Sequence, residues 1–509
     1  MQKMSSAIFA ILLLVLGFLW FSIFSQSKQG RKLPPGPRPL PVIGNLHVLG
    51  TLPHRNLAKL AKKYGSIMSI RLGSVPTIIV SSSDAAELFL KTYDTVFASR
   101  PKTQASIFMS YNNTGVAFAE YGPYWRNIRK LCTEELLSVL KVESMAPLRV
   151  KELGFLVELI KESVVAGEAV DLSEKIGELI ENSAYKMVFG KNNDDKFDIR
   201  SLVSEASHLA GTFNVSDYVP FLEPFDLQGL KRRMKAYSKT MDDFIEKMLE
   251  EHEKNAKLNQ AQDHRDFIDV LLSVMDQPTG SSSSDENPAT YTVDRTNIKA
   301  IILDMILGGY ETTATSILWT FSELFRHPEV LKKLQKELEN VVGTNRMVEE
   351  TDLSKLDYLN MVIKETFRLH PVAPFLIPRE SIADITINGY HIPKKSRILV
   401  NSWAIGRDPN SWTSNVDEFL PERFMDSNIE LGGQDLRLIP FGSGRRGCPG
   451  MNLGLTINRL IVAQLVHCFD WKLPNGMLSS ELDMSETFGL SLPRTNHLLA
   501  VPSSYRLLA

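Results

Sequence analysis

The stretch FGSGRRGCPG, residues 441–450, limits what this chain can fold into more than any other. Gly442, Gly444 and Gly447 carry the G-x-G-x-x-G spacing of a dinucleotide-binding turn. That turn needs a strand before it, a helix opening on the glycines and further β-α units to complete a parallel sheet. Only 62 residues follow Gly447, and no run of β-α units is legible among them. Arg445 and Arg446 stand where such a helix must pack on its sheet, and Cys448-Pro449 intervenes before the next helical segment. A different ligand accounts for each residue type. Glycines let backbone approach a flat group closely and take positive φ. Pro449 suits a first helical turn, and the partial positive charge of a helix start favours thiolate at Cys448. Such a thiolate can ligate iron, and Arg446 can pair with a carboxylate of the same ligand.

The bulk numbers exclude several rival functions. A formal net charge of −2 gives no global field to recruit nucleic acid. Three cysteines, Cys132, Cys448 and Cys468, are too few for a disulfide framework. Cys132 and Cys468 read as buried structural thiols. The closest histidines, His47 and His54, are seven residues apart, which is no familiar zinc spacing.

Residues 7–24 carry no charge over 18 positions, the lower end of what spans a bilayer as a helix. Lys28, Arg31 and Lys32 follow against Lys3 alone before, a bias that leaves the bulk of the chain in the cytosol. A cleaved signal peptide is the rival reading, but no small-residue cleavage site follows. Residues 1–27 are therefore read as a transmembrane anchor, 28–45 as a basic and Pro-rich hinge that acts as a stiff stalk, and 46–509 as a catalytic domain. The sequons at Asn112 and Asn214 would not meet the glycosylation machinery.

The rest is mainly α with small β-sheets. Residues 67–83 and 383–402 have the alternation of hairpins, the second with Asn388-Gly389 as its turn. Residues 242–257 read as a solvated charged helix, and 276–290 as a mobile surface loop. Residues 297–328 read as one long core helix, since Asp304 and Glu311 argue against a second membrane span. Asp304, Gly308, Glu311, Thr312 and Thr315 share one face of it. Gly308-Gly309 weakens the helix and removes bulk there, so either something flat lies against it or a packed glycine notch is internally satisfied. Thr312 can hydrogen-bond the carbonyl one turn back. Glu365 and Arg368 stand at i, i+3, and Arg423 in PERF can join the same carboxylate.

These motifs together carry a resemblance. FGSGRRGCPG is similar to the haem-binding F-x-x-G-x-R-x-C-x-G of cytochromes P450. GGYETT (308–313) resembles their oxygen-activation motif, ETFR and PERF their E-x-x-R and P-E-R-F elements, and WRNIR (125–129) their W-x-x-x-R helix. All stand in family order across essentially the whole chain. The anchor, the PPGP hinge and the wording of the cysteine loop look like plant microsomal A-type enzymes of specialised metabolism.

The resemblance implies the cytochrome P450 fold with an N-terminal membrane anchor helix. It implies haem b (iron-protoporphyrin IX) with Cys448 as axial thiolate, and Trp125, Arg129, Arg379 and Arg446 at the propionates. Glu311 and Thr312 would relay protons during oxygen activation, and Glu365, Arg368 and Arg423 would form a structural triad. Electrons would come from a separate NADPH–cytochrome P450 reductase, which holds the flavins. The enzyme would sit in the endoplasmic reticulum membrane, single-pass, against membrane lipid, and oxidise a small apolar metabolite, a terpenoid or a phenolic of coumarin or biphenyl type. By position alone, residues 107–118, 213–225, 372–378 and 487–492 would contact it, with Phe375, Leu376, Phe488 and Leu490 lining an apolar pocket. Tyr310 departs from the family pattern, where smaller residues are usual; it either points away from the haem or narrows the pocket. A reductase-free isomerase and an anchored binding protein are the rival functions, and the intact acid–threonine pair and cysteine loop argue against both.

Overall fold

Turn residues and β-branched runs make the sheets. Ile67–Leu72 (β1) and Val75–Val80 (β2) pair antiparallel across Gly73-Ser74, with Ile67 opposite Val80. The other strands include Val170–Asp171 (β3), Arg379–Glu380 (β4), Ile385–Ile387 (β5), Tyr390–Ile392 (β6), Arg397–Val400 (β7), Phe469–Lys472 (β8) and Leu499–Tyr505 (β9), and a short antiparallel pair joins Pro278–Thr279 to Tyr291–Thr292. One sheet has the order β1-β2-β7-β4, with β2 and β7 parallel; another has the order β8-β9-β3. The segment read as a second hairpin divides. β5 and β6 form a hairpin on Asn388 (φ 49°) and Gly389 (φ 76°), the two positive values that a type I′ turn requires. β7 leaves it and joins the first sheet. This is a computed structural model, and it describes residues 15, 17, 32–193, 197–257, 265–279, 291–412 and 415–507.

Helices make up most of the chain. They include Pro53–Tyr64 (α1), Pro123–Leu131 (α2), Ala146–Ala166 (α3), Leu172–Phe189 (α4), Ile199–Gly211 (α5) and Leu230–Lys257 (α6). Then come Phe267–Val274 (α7), Arg295–Gly309 (α8), Glu311–Arg326 (α9), Pro328–Val342 (α10), Asp357–Leu369 (α11) and Met451–Cys468 (α12). Their ends obey local chemistry. Asp171, Asp198 and Asp294 accept backbone N–H groups at N-caps, and α3 and α4 stop at left-handed Gly167 and Gly190.

Two sequence expectations are corrected here. The segment 242–257 is not merely a solvated charged helix: in α6, Phe244, Ile245, Met248, Leu249 and His252 are buried. Their i, i+1, i+4, i+5, i+8 spacing is an apolar stripe among the charges. The segment 297–328 is two helices, not one. Tyr310 (φ −79°, ψ −76°) separates α8 from α9. The adjacent Gly308-Gly309 weakens the ladder, and the Thr312 hydroxyl donates to the Gly308 carbonyl at 2.7 Å.

The Pro-rich hinge does not stand free where it is described. Ser69 N–H donates to Pro35 O at 2.9 Å, and a Cβ at Gly36 would lie 1.7 Å from Ser69 O, so the strand edge receives it only as glycine. Most of the anchor at 7–24 and most of the loop at 276–290 lie outside the described residues. Among the described residues, no helix is long and apolar enough to cross a membrane.

Candidate active site

The cysteine loop is built by close backbone approach. Gly442 and Gly444 hold φ of 71° and 68°, and a Cβ at Gly444 would lie 2.2 Å from Leu90 O. Asp94 is the anchor for this loop. Its Oδ2 accepts Arg445 N–H at 3.0 Å and its Oδ1 accepts Arg379 Nη1 at 2.7 Å, while Arg379 Nη2 donates to Ser443 O at 2.7 Å. Cys448 N–H returns to Phe441 O at 2.8 Å, and α12 opens three residues later. Cys132 and Cys468 are buried, whereas Cys448 retains exposed surface. Burial is nonetheless the largest influence on the Cys448 thiol and raises its pKa, against the Gly450 N–H and the Arg129 charge. The open surface of the sulfur therefore faces an enclosed space and not bulk water. The expected pull of the helix start toward thiolate is present but is outweighed by desolvation; a bound cation reverses that balance, because a coordinating thiol ionises outright.

Beside the cysteine loop stands an excess of cations. Arg129, on α2, donates to Gly447 O at 2.7 Å. Arg446 lies over the Trp125 ring at 4.0 Å and donates through Nε to Ala98 O at 2.7 Å. Trp125 Nε1–H donates to Val116 O at 3.0 Å. Arg100, which sequence reasoning missed, donates to Ala117 O at 3.0 Å and Pro378 O at 2.9 Å. Burial, then Arg379 and Arg129, bring the Arg446 guanidinium down to about 9. Burial, then the neighbouring arginines, hold Arg100 well below its ordinary value. Arg379 is lowered by burial although it is paired with Asp94. Buried guanidinium groups that depress one another lack anions, and a ligand with carboxylates supplies them. No local signal marks Arg100 or Asp94, because their partners lie far away in sequence.

The helix break supplies the opposing face. Gly308, Gly309 and Thr312 are exposed on an otherwise buried helix pair, and a Cβ on either glycine would meet nothing within 4 Å. Glu311, half-buried, accepts the Ser491 hydroxyl at 2.7 Å, and Ser491 Oγ lies 3.3 Å from Ser207 Oγ. Burial raises the Glu311 carboxyl, partly offset by these two hydroxyls. A pocket of about 410 Å³ opens there, lined by Glu311, Ser201, Ser204, Ser207, Thr487 and Ser491. Tyr310 points away from this face: its hydroxyl lies 3.3 Å from where a Cβ on Gly177 would stand, beside Arg200.

The other residues singled out in the sequence are dispersed. Glu365 and Arg368 are fully buried in α11, joined by Nε–Oε2 at 2.7 Å and Nη2–Oε1 at 2.8 Å, and Arg423 Nε reaches Glu365 Oε1 at 2.9 Å. Phe375 and Phe488 join an aromatic cluster: their rings are 6.1 Å apart, and Phe488 also stacks on His54 at 6.0 Å and on Phe213 at 6.1 Å. Leu376 holds φ of 55°, a costly value for leucine, next to Gly442. Leu490 N–H donates to Ser207 O at 3.4 Å, beside the Glu311 pocket.

A thiol with open surface, guanidinium groups short of anions and a helix face stripped of side chains are the donor set that haem b needs. The cytochrome P450 family model matches residues 34–501. Cytochrome P450 CYP736A12 of Panax ginseng is 55% identical over 98% of this chain and 99% of its own length. Cytochrome P450 71A1 of Persea americana is 44% identical over 88% and 89%. Cytochrome P450 84A1 of Arabidopsis thaliana is 40% identical over 99% and 97%. This chain thus belongs to the cytochrome P450 family, monooxygenases that carry haem b and draw electrons from NADPH through a reductase.

Proposed function

We propose that this enzyme is a haem-thiolate monooxygenase in which Cys448 would ligate the haem iron, and that it oxidises, chiefly by hydroxylation, a small apolar plant metabolite of terpenoid or phenolic (coumarin or biphenyl) type. The observation that carries the ligand assignment is Cys448 itself, the one cysteine among the described three with open surface, set below a cluster of anion-short arginines. Haem, when bound, supplies the activation of dioxygen and the oxidation of a substrate C–H bond. Arg129, Arg379 and Arg446, with Trp125 stacked beneath Arg446, orient its carboxylates. The aromatic cluster of Phe213, Phe375 and Phe488, with Leu376, supports an apolar substrate. Residues 1–27 anchor the chain in the endoplasmic reticulum membrane, 28–45 form its hinge, and 46–509 work on the cytosolic side beside a membrane-bound reductase.

This chain's own proton chemistry lies at the helix break. Glu311, its carboxyl raised by burial, holds a proton at neutral pH more readily than an ordinary glutamate. It exchanges that proton with the outer pocket through Ser491. Thr312, anchored on Gly308 O, presents its hydroxyl oxygen on the exposed side of the break and passes a proton onward.

Three measurements test this reading. The reduced, haem-loaded protein under carbon monoxide should show the shifted Soret band of a thiolate-ligated ferrous porphyrin; a folded, loaded protein without it refutes the Cys448 assignment. Thr312→Ala should lower product formed per NADPH by about tenfold or more and release peroxide instead. Unchanged coupling removes Thr312 from the relay. A microsomal substrate screen with product analysis separates terpenoid from phenolic substrates.

A further inference from the structure

The turn at residues 487–493 faces two ways. Its Phe488 joins the aromatic cluster, and its Ser491 hydroxyl donates to Glu311 at 2.7 Å. The turn closes where Thr487 N–H donates to Pro493 O at 3.0 Å and Glu486 pairs with Arg494 in an antiparallel bridge. Its far limb leans on the helices. Trp319 Nε1–H donates to Leu492 O at 2.9 Å, and a Cβ at Gly211 would lie 2.2 Å from Leu490 N. On the limb that bears Phe488, the side-chain anchor is Glu486, two residues earlier.

Two consecutive residues of α1 meet that carboxylate. His54 Nε2 lies 3.0 Å and Arg55 Nε 2.6 Å from the same Oε1. The His54 side chain is 0% exposed and that of Glu486 3%. Burial raises the Glu486 carboxyl, but the bonds from His54 and Arg55 outweigh it and hold the group down at about 2. A carboxylate only accepts, so His54 carries its proton on Nε2 and donates. Its Nδ1 has no partner among the described residues, so a second proton there would be buried and unpaired. Burial is also the largest influence on the imidazole and lowers its pKa against the pull of Glu486. His54 is thus a neutral ring with one directed N–H. It is stacked on Phe488 at 6.0 Å and set edge-on to Trp403 at 5.5 Å and Phe375 at 6.4 Å.

We propose that His54 is a positioning residue for substrate specificity: its N–H holds Glu486 and its ring backs Phe488, and together they fix the width of the apolar pocket. The inference rests on the reading of Phe213, Phe375 and Phe488 as the substrate wall. Without the imidazole, Glu486 keeps only Arg55, whose side chain is 42% exposed, and Phe488 loses the ring it stacks on. The limb then relaxes and the wall opens.

The test titrates ferric holoenzyme with two azoles and reads the Soret shift. Imidazole needs only the haem iron, whereas 4-phenylimidazole adds a ring that needs the pocket. Wild type is compared with Phe488→Leu, His54→Leu, His54→Gln and the combination of the two leucine variants. Hydrogen exchange of the amides at 487–491 is read on the same proteins. His54→Leu should weaken 4-phenylimidazole by about tenfold, the scale of a lost hydrogen bond to a charged group, and leave imidazole unchanged. Amide exchange at 487–491 should rise by about the same factor. His54→Gln, whose amide can donate to Glu486, should recover most of both. The combined variant should bind 4-phenylimidazole no more weakly than the weaker single variant, because both changes act on one contact. Equal losses for both azoles, strictly multiplicative losses, or wild-type binding in His54→Leu overturn the proposal. Should His54→Leu not hold haem, Glu486→Gln takes its place under the same criteria. Unchanged 4-phenylimidazole binding in Phe488→Leu refutes the aromatic cluster as the substrate wall, whereas unchanged amide exchange in His54→Leu refutes the His54 tie itself.

Discussion

Asp304 keeps some exposed surface, yet burial dominates its titration and pushes its carboxyl up to about 7, with only the N–H groups of Ala117 and Val116 pulling it down. The titratable group that faces it is Cys132, buried and held protonated by desolvation. The sign of its effect on stability follows. Between an unfolded aspartate's pKa of about 4 and the folded value of about 7, the folded state binds the extra proton, so stability falls as pH rises through this window. Asp304→Asn should flatten that part of the curve, measured by urea denaturation from pH 4 to 8. A slope unchanged by the substitution would show that the carboxyl titrates normally. The residue lay in plain view on the polar stripe of the sequence, but its partners did not, because backbone amides of residues 116 and 117 have no side-chain identity to read.

At the scale of elements, two connections are exposed to test. The glycine loop passes under residues 88–94, where Gly444 (φ 68°) meets Leu90 O. Gly444→Ala combines an unfavourable backbone region with a 2.2 Å clash against main chain, and should cost about 2–4 kcal/mol or displace the loop. Loss of haem retention together with a lower thermal midpoint would register it. Helix α6 is tied to α7 by His252, whose Nδ1 donates to Met248 O at 2.7 Å and Nε2 to Asp266 Oδ2 at 2.9 Å. Two acceptors require the doubly protonated ring. Burial lowers its pKa, but Asp266, the Met248 carbonyl and the charge of Asp269 outweigh that, and the net shift is upward. Its stabilisation is therefore complete below the unfolded histidine value of about 6.5 and is lost as pH rises through the folded value. His252→Gln should remove this loss between pH 6 and 9 in denaturant titrations; a histidine-independent curve would refute it. The apolar stripe around His252 was present in the sequence but went unread there, hidden by the many charges interleaved with it.

At the scale of the whole molecule, Arg368 holds distant segments together. It is bidentate to Glu365, donates to Gly406 O at 2.7 Å and Glu418 O at 2.9 Å, and shares Glu365 with Arg423. Both members of the pair are fully buried. Glu365→Gln leaves two guanidinium groups without their anion, and should cost about 3–5 kcal/mol. Because the network is shielded from solvent, 1 M salt should not reproduce the loss, in contrast to a surface pair. Chemical denaturation in low and high salt separates the cases. The E-x-x-R spacing was visible in one helix turn, but the fully buried site that gives it weight was not, since i, i+3 pairs occur as often on surfaces.

Local chemistry was fixed by the amino-acid order alone: where backbone must take positive φ, which thiol opens a helix, where a long helix is weakened, and which turns close hairpins. These depend on residues within a turn or two of each other, so neighbouring side chains suffice to read them. Tertiary structure decided the rest. It brought Asp94 to Arg379 across 285 positions, gathered four arginines around few anions, broke the long helix at Tyr310 and set Glu486 beside His54. Those features arise from desolvation and from contacts between remote segments, and neither quantity exists until the chain has folded.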